Sequence, residues 1–287
     1  MKLLKIPTGI KTFDLNINEG FPAGSVILLL EDVGAGGREF LYSSIYNITM
    51  AKKNQDDLDK MKRNQKDPVD EQIRTAIMLP NKICYVSISK SREDILTENA
   101  YAFHKGYYEA VKDGMVFKEL SNIYFRHSIA QNLWSEKKGM LGFDSISDKN
   151  ILEELSEFMN ENAEGNIVII DSLTDLLVNQ IEYLNRTDFI MFLKGMVNIS
   201  KTWNGLIYLI LSANILEKQM QEIINDVVDG VLVFEWFDKG SVKMRRNLYI
   251  SKFRGLIPQL EQNKIAKFET RITYDGGFEV SNVRKII

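Results

Sequence analysis

Cysteine is almost missing from this chain: Cys84 is the only one in 287 residues. A lone thiol excludes an internal disulfide and any metal site built from several cysteines. Its place in the apolar run Ile83-Cys84-Tyr85-Val86 marks it as a buried, inert side chain. Histidine is scarce as well. His104 and His127 are far apart and have no cysteine partners, so no metal site is expected from them and no Ser-His-Asp triad finds local support. No stretch approaches the ~20 apolar residues that a membrane span requires. The start, Met1-Lys2-Leu3-Leu4-Lys5-Ile6-Pro7, lacks the apolar core and cleavage site of a signal peptide, and a soluble cytoplasmic protein is expected. Positive charge is not in excess either: 36 Lys and Arg face 39 Asp and Glu, a net charge of −3. Strong nonspecific nucleic-acid binders carry a basic surplus, so nucleic acid is a weakly supported partner. No Pro- or Gly-rich linker divides the chain, which predicts one domain over residues 1–287.

What is present is a series of strand-length apolar runs alternating with segments of helical period. That pattern predicts an α/β fold with a mostly parallel sheet flanked by helices. The runs are Val26–Leu30, Ile83–Ile88, Ile123–Arg126, Ile167–Ile170, Leu206–Leu211 and Val231–Trp236. Several are rich in Val and Ile with little polar alternation, as expected of strands covered on both faces. Helices are expected near Arg38–Lys52, Arg92–Lys112, Lys149–Asn162, Thr187–Thr202 and Glu217–Asp226. After Trp236 the pattern turns antiparallel. Asp238-Lys239-Gly240-Ser241 reads as a hairpin turn, followed by strands over Arg246–Phe253, Lys267–Tyr274 and Phe278–Ser281 that extend the same sheet. A stretch at about 52–72, crowded with Lys, Asp, Asn and Gln, reads as a charged, solvated insertion.

The richest chemical signal follows the first buried strand, where Glu31-Asp32-Val33-Gly34-Ala35-Gly36-Gly37-Arg38-Glu39 runs through a glycine-rich turn into a helix. Such a junction offers backbone N–H groups and the positive helix end to an anion. The candidate nucleotide-binding residues are therefore Gly34, Ala35, Gly36, Gly37, Arg38 and Glu39. A phosphate loop of the form G-x-x-x-x-G-K-S/T needs its lysine for the β/γ-phosphates and its hydroxyl for Mg²⁺. Here Glu31 falls on the first glycine, Gly37 on the lysine and Arg38 on the Ser/Thr, so only Gly36 conforms. Arg38 either grips phosphate with its guanidinium or pairs with Glu31, Asp32 or Glu39 nearby. The turn also superficially matches the first motif of S-adenosylmethionine-dependent methyltransferases. The second strand ends Ile88-Ser89-Lys90, however, without the acid that would grip a ribose.

The flanking segments carry a resemblance. Pro7-Thr8-Gly9-Ile10-Lys11-Thr12-Phe13-Asp14 and Glu19-Gly20-Phe21-Pro22-Ala23-Gly24-Ser25, then Lys82–Ser87, Asn166–Leu173, Asp226–Val233 and Arg246–Gly255, come in the order and spacing of the KaiC/RecA-type ATPase family. The resemblance covers nearly the whole chain, looks archaeal in character, and implies a RecA-like sheet. It makes Asp171 the Walker B-like residue, which in the family helps to hold Mg²⁺. It makes Lys252 and Arg254 candidates for facing a neighbouring subunit's nucleotide. It admits ATP or ADP and Mg²⁺ at the turn, and a protein partner or homo-oligomer, since the family forms rings. The departures assure none of these ligands. Ser89 and Lys90 stand where family ATPases carry glutamates, so the phosphate-binding lysine, the hydroxyl and the base are all replaced and no catalytic residue is assigned. The resulting expectation is a KaiC/RecA-like protein with a degenerate nucleotide site, regulatory or scaffolding in role. The alternative is an active ATPase that uses Arg38 in place of the lysine, in signalling or DNA recombination.

Overall fold

Strand β3 (Ser25–Glu31) is the axis of the molecule. In the computed structural model, which describes residues 2–54, 74–125, 150–180, 186–237, 245–253 and 265–285, β3 is the middle of a nine-stranded sheet. The sheet order is β12-β11-β10-β9-β3-β8-β7-β5-β6. Its members are β5 (Ile83–Ser87), β6 (Met115–Glu119), β7 (Ile167–Asp171), β8 (Leu206–Ser212), β9 (Gly230–Phe237), β10 (Arg245–Phe253), β11 (Ile265–Thr273) and β12 (Gly277–Lys285). Pairing is parallel from β9 through β3 to β6. It is antiparallel from β9 out to β12. The switch falls at the strand containing Trp236. A second sheet of three strands joins β1 (Lys2–Ile6), β2 (Phe21–Pro22) and β4 (Arg74–Ile77).

The apolar runs lack alternation because each face of the large sheet has its own core. Ile27 and Leu29 of β3 pack with Phe40, Tyr85, Tyr208 and Phe234 on one side. Val26 and Leu28 pack with Val86, Ile170, Leu193 and Leu209 on the other. The first core is covered by α1 (Lys11–Asn16), α2 (Gly37–Lys53), α3 (Arg92–Ala102) and α4 (Lys105–Gly114). The second is covered by α6 (Ile151–Asn162), α7 (Leu173–Gln180), α8 (Arg186–Trp203) and α9 (Lys218–Val227), with the short α5 (Ser121–Tyr124) beside them.

Three local expectations are corrected. The helix expected over Arg92–Lys112 is two helices. Ser91 opens α3 through a reciprocal cap with Asp94, and His104 opens α4 by accepting the Gly106 N–H on Nδ1 at 3.0 Å. The strand expected at Ile123–Arg126 begins earlier, at Met115, and Ile123 belongs to α5. The signal was weak because β6 is the edge strand. Its side chains are partly exposed, and its Lys118 pairs with Glu154 at 2.9 Å instead of packing as an apolar residue. The last strand is also longer than Phe278–Ser281, because β12 pairs along β11 as far as Lys285. The hairpin turn read at 238–241, His127 and Arg254 lie outside the described residues, as does the charged insertion from residue 55 to 72.

Candidate functional site

The glycine-rich turn lies at the C-terminal end of β3, between that strand and α2. Gly36 caps α2 with φ +110°, a conformation that favours glycine. The β11–β12 hairpin crowds it further, since a Cβ at this position would lie 3.2 Å from both Ile272 and Phe278. The turn is anchored by its own backbone and by β9 and β10. The Asp32 N–H donates to the Phe234 carbonyl at 2.9 Å and the Ala35 N–H to the Asp32 carbonyl at 2.9 Å. Trp236 Nε1 donates to the Val33 carbonyl at 3.0 Å, and Arg246 Nε to the Gly34 carbonyl at 3.1 Å. The Arg246 guanidinium stacks 4.2 Å from the Trp236 ring centre. Ala35, Gly36 and Gly37 are buried, whereas Val33 and Gly34 at the tip are exposed.

Inside the turn, Glu31 folds back beneath the helix start. Its Oε2 accepts the Gly37 N–H at 3.0 Å and its Oε1 takes Arg38 Nη1 at 2.6 Å. Arg38 then reaches Asp171 at the end of β7, with Nη2 to Oδ1 at 2.8 Å and Nε to Oδ2 at 3.2 Å. Asp171 Oδ2 also accepts the Tyr85 hydroxyl at 2.6 Å. One guanidinium thus bridges two carboxylates whose side chains are only 4% and 3% exposed. Of the partners the sequence offered for Arg38, Glu31 is one the structure brings to it, and Asp171 is a second, 133 residues away. Glu39, on the first turn of α2, contributes charge rather than a contact to this cluster.

The charges of the cluster hold one another. Burial pushes Glu31 above the usual carboxylate value against the pull of Arg38, with Glu39 and Asp171 adding to the rise. Burial works against the charge on Arg38, but the Asp171 and Glu31 carboxylates outweigh it and hold the guanidinium above its ordinary value. Burial and then the Asp171 charge drive the Tyr85 phenol well above its usual value, and burial likewise raises Tyr42, whose ring lies parallel to that of Tyr85 at 6.3 Å.

The other sequence candidates fall elsewhere. Lys252 Nζ donates to the carbonyls of Asn225, Asp226 and Val228 at 2.8, 2.6 and 2.8 Å, which caps the C-terminal end of α9. Lys90, where the resemblance expects a glutamate, pairs with Glu98 at 2.5 Å. Among the described residues, no group of three His, Cys, Asp or Glu side chains is arranged to hold a metal. Cys84 is buried, as its apolar run implies, and burial raises its thiol to about 11. Sequence reasoning missed Tyr85. Its one trace was an aromatic residue inside a buried strand, two places before Ser87, the residue in register with Asp171.

Solved structures share this architecture. A KaiC-like protein from the hyperthermophilic archaeon Pyrococcus horikoshii OT3 superposes with a TM-score of 0.60 at 16% identity, over 97% of this chain and 99% of that one. The flagellar accessory protein FlaH from Methanocaldococcus jannaschii superposes with a TM-score of 0.60 at 14% identity, over 99% of this chain and 100% of that one. The chain has the KaiC/RecA-type fold. No protein-family model matches the sequence, and no curated protein does. Among the described residues no helix is long and apolar enough to cross a membrane.

Proposed function

We propose that this chain is a KaiC/RecA-fold protein whose nucleotide site is closed by its own side chains, and that it serves as a regulatory or scaffolding subunit rather than an ATPase. The observation that carries this reading is the Arg38 bridge between Glu31 and Asp171, with Glu31 also accepting the Gly37 N–H. A helix N-terminus after a glycine-rich turn attracts an anion, and here the Glu31 carboxylate supplies it from within. Arg38 supplies the positive charge beside Asp171 that a bound Mg²⁺ would otherwise bring. A polyphosphate entering the turn meets two carboxylates against one guanidinium, a net repulsion in a poorly solvated place. Positioning and charge stabilisation carry most of phosphoryl transfer, and the groups that remain here are committed to each other.

A role exercised through protein contacts follows from this. FlaH is named a flagellar accessory protein, and an accessory role alongside another protein or further copies of itself is the one we assign to this chain. The competing reading, an ATPase that uses Arg38 on phosphate, requires the guanidinium to leave both carboxylates when nucleotide binds.

Rebuilding the phosphate loop tests the proposal. Gly37→Lys alone fails sterically, because a Cβ at 37 would meet Glu31 Oε2, so the change has to be made together with Glu31→Gly. The triple variant Glu31→Gly, Gly37→Lys, Arg38→Thr restores the full pattern and is expected to bind a fluorescent ATP analogue with Mg²⁺ saturably, while the native chain does not up to millimolar nucleotide. Saturable binding by the native chain, with Mg²⁺-dependent phosphate release that Arg38→Ala abolishes, would establish the ATPase reading instead.

A further inference from the structure

A cavity of about 580 Å³ lies at the opposite end of α2 from the glycine-rich turn. Its helical walls are α1 and the C-terminal part of α2, where Asn47, Met50 and Ala51 line it. At the rise of an α-helix Met50 and Ala51 are roughly 20 Å along the axis from Gly37, and none of Glu31, Arg38 and Asp171 lines the cavity, although Phe278, which crowds Gly36, forms part of its wall. The volume is within the range of pockets that enclose small molecules, about 300–1,000 Å³. Ile10 and Leu15 from α1 and its approach, Met50, and Val280 of β12 give it apolar walls. Leu15 is 57% exposed at the mouth.

Among the cavity's polar lining residues is Asp14. Its Oδ1 accepts the Thr8 N–H at 2.9 Å and the Thr8 hydroxyl at 2.8 Å, and its Oδ2 accepts the Gly9 N–H at 2.9 Å. Each carboxylate oxygen has two acceptor sites, which leaves Oδ2 one for a ligand. The charged groups around the cavity are Lys11 of α1, Glu19 after it, and Arg271 and Glu279 of the β11–β12 hairpin. The last two neutralise each other across 2.6 Å. Lys5 of β1 acts on Glu19, and the charge on Asp14 acts on the fully buried Tyr208 of β8. Lys11 and Arg271 against Asp14, Glu19 and Glu279 leave the lining one negative charge in excess. We propose that this cavity binds a small organic cation, an ammonium or guanidinium group on a short apolar body, with the charge seated on Asp14.

Burial is the largest influence on Asp14 and pushes it up to about 7, against the hydrogen bonds from Thr8 and Gly9. A bound cation favours the ionised carboxylate, so binding releases a proton and tightens as pH rises through 7.

The Thr8 and Gly9 amides, both bonded to Asp14, report its state in ¹H–¹⁵N spectra of the whole chain. The probe is n-hexylammonium chloride, with hexan-1-ol and hexanoate as neutral and anionic probes of equal length. Hexylammonium is expected to shift both amides saturably in the millimolar range, with about tenfold higher affinity near pH 8 than near pH 6. Hexanol and hexanoate are expected to leave both amides in place. Equal binding of hexanol, binding of hexanoate, an affinity that ignores pH, or no effect of hexylammonium each overturns the assignment. Met50→Trp fills the apolar wall without touching Asp14. It is expected to abolish the hexylammonium shift while the Gly9 amide still titrates near 7, and unchanged binding by this variant places the cation elsewhere and also overturns it.

Discussion

Replacing Arg38 with alanine removes the one positive charge that joins Glu31 to Asp171. Three charge-assisted contacts vanish, to Glu31 Oε1 at 2.6 Å and to the two Asp171 oxygens at 2.8 and 3.2 Å. The larger cost is what remains: two carboxylates, each less than 5% exposed, with no countercharge between them. Breaking a buried pair by deleting one partner costs about 3–5 kcal/mol. The Arg38 side chain is itself 30% exposed, so water screens part of this and about 3 kcal/mol is expected. In a chain of this size that lowers Tm by roughly 6–12 °C. Glu31 already has a folded-state value above its usual one, so its favourable contribution is present at low pH and is lost as pH rises through that value. Without Arg38 the rise is steeper. The deficit, measured by urea unfolding followed by circular dichroism, is therefore expected to be larger near pH 8 than near pH 5. Adding Glu31→Gln is expected to recover part of it, because a neutral amide still accepts the Gly37 N–H. A loss below about 1 kcal/mol at pH 8, typical of an exposed ion pair, would refute the reasoning and with it the view that this bridge holds the turn closed.

Tyr85→Phe deletes the hydroxyl that donates to Asp171 at 2.6 Å; the urea midpoint is expected to fall by the equivalent of about 2 kcal/mol, the worth of a buried hydrogen bond to a charged group. Asp14, raised by burial from its ordinary value to about 7, favours the folded state when protonated. Native stability is therefore expected to decline as pH rises from about 4 to 7, by at most about 4 kcal/mol, and Asp14→Asn is expected to flatten that decline in urea midpoints taken across the window. Lys252→Met removes the ammonium that caps three carbonyls at the end of α9. The expected cost is about 1 kcal/mol, with faster amide hydrogen exchange confined to the last turn of α9 and the start of β9.

The sequence by itself determined the sheet and the place of the glycine-rich turn in it. Apolar runs such as Ile167–Ile170 and Leu206–Leu211 have no polar face, so only strands covered on both sides accommodate them. The change to alternating segments after Trp236 dictated the antiparallel half, and a glycine-rich turn between an apolar strand and a helix located the candidate site. These are properties of consecutive residues, and the chain displays them directly. Edge strand β6 was not legible for the same reason, since a half-exposed strand carries little periodic signal. Only the tertiary structure decided what the site contains. β8 lies between β3 and β7 in the sheet, so Arg38 reaches Asp171 across an intervening strand, over a separation of 133 residues. Glu31 turns back beneath its own turn because Gly37 leaves room for its carboxylate, and Tyr85 meets Asp171 because β5 pairs with β7 in a fixed register. Which atoms meet depends on register, side-chain direction and the packing of α2, and these are set by the whole fold at once rather than by any local run of residues.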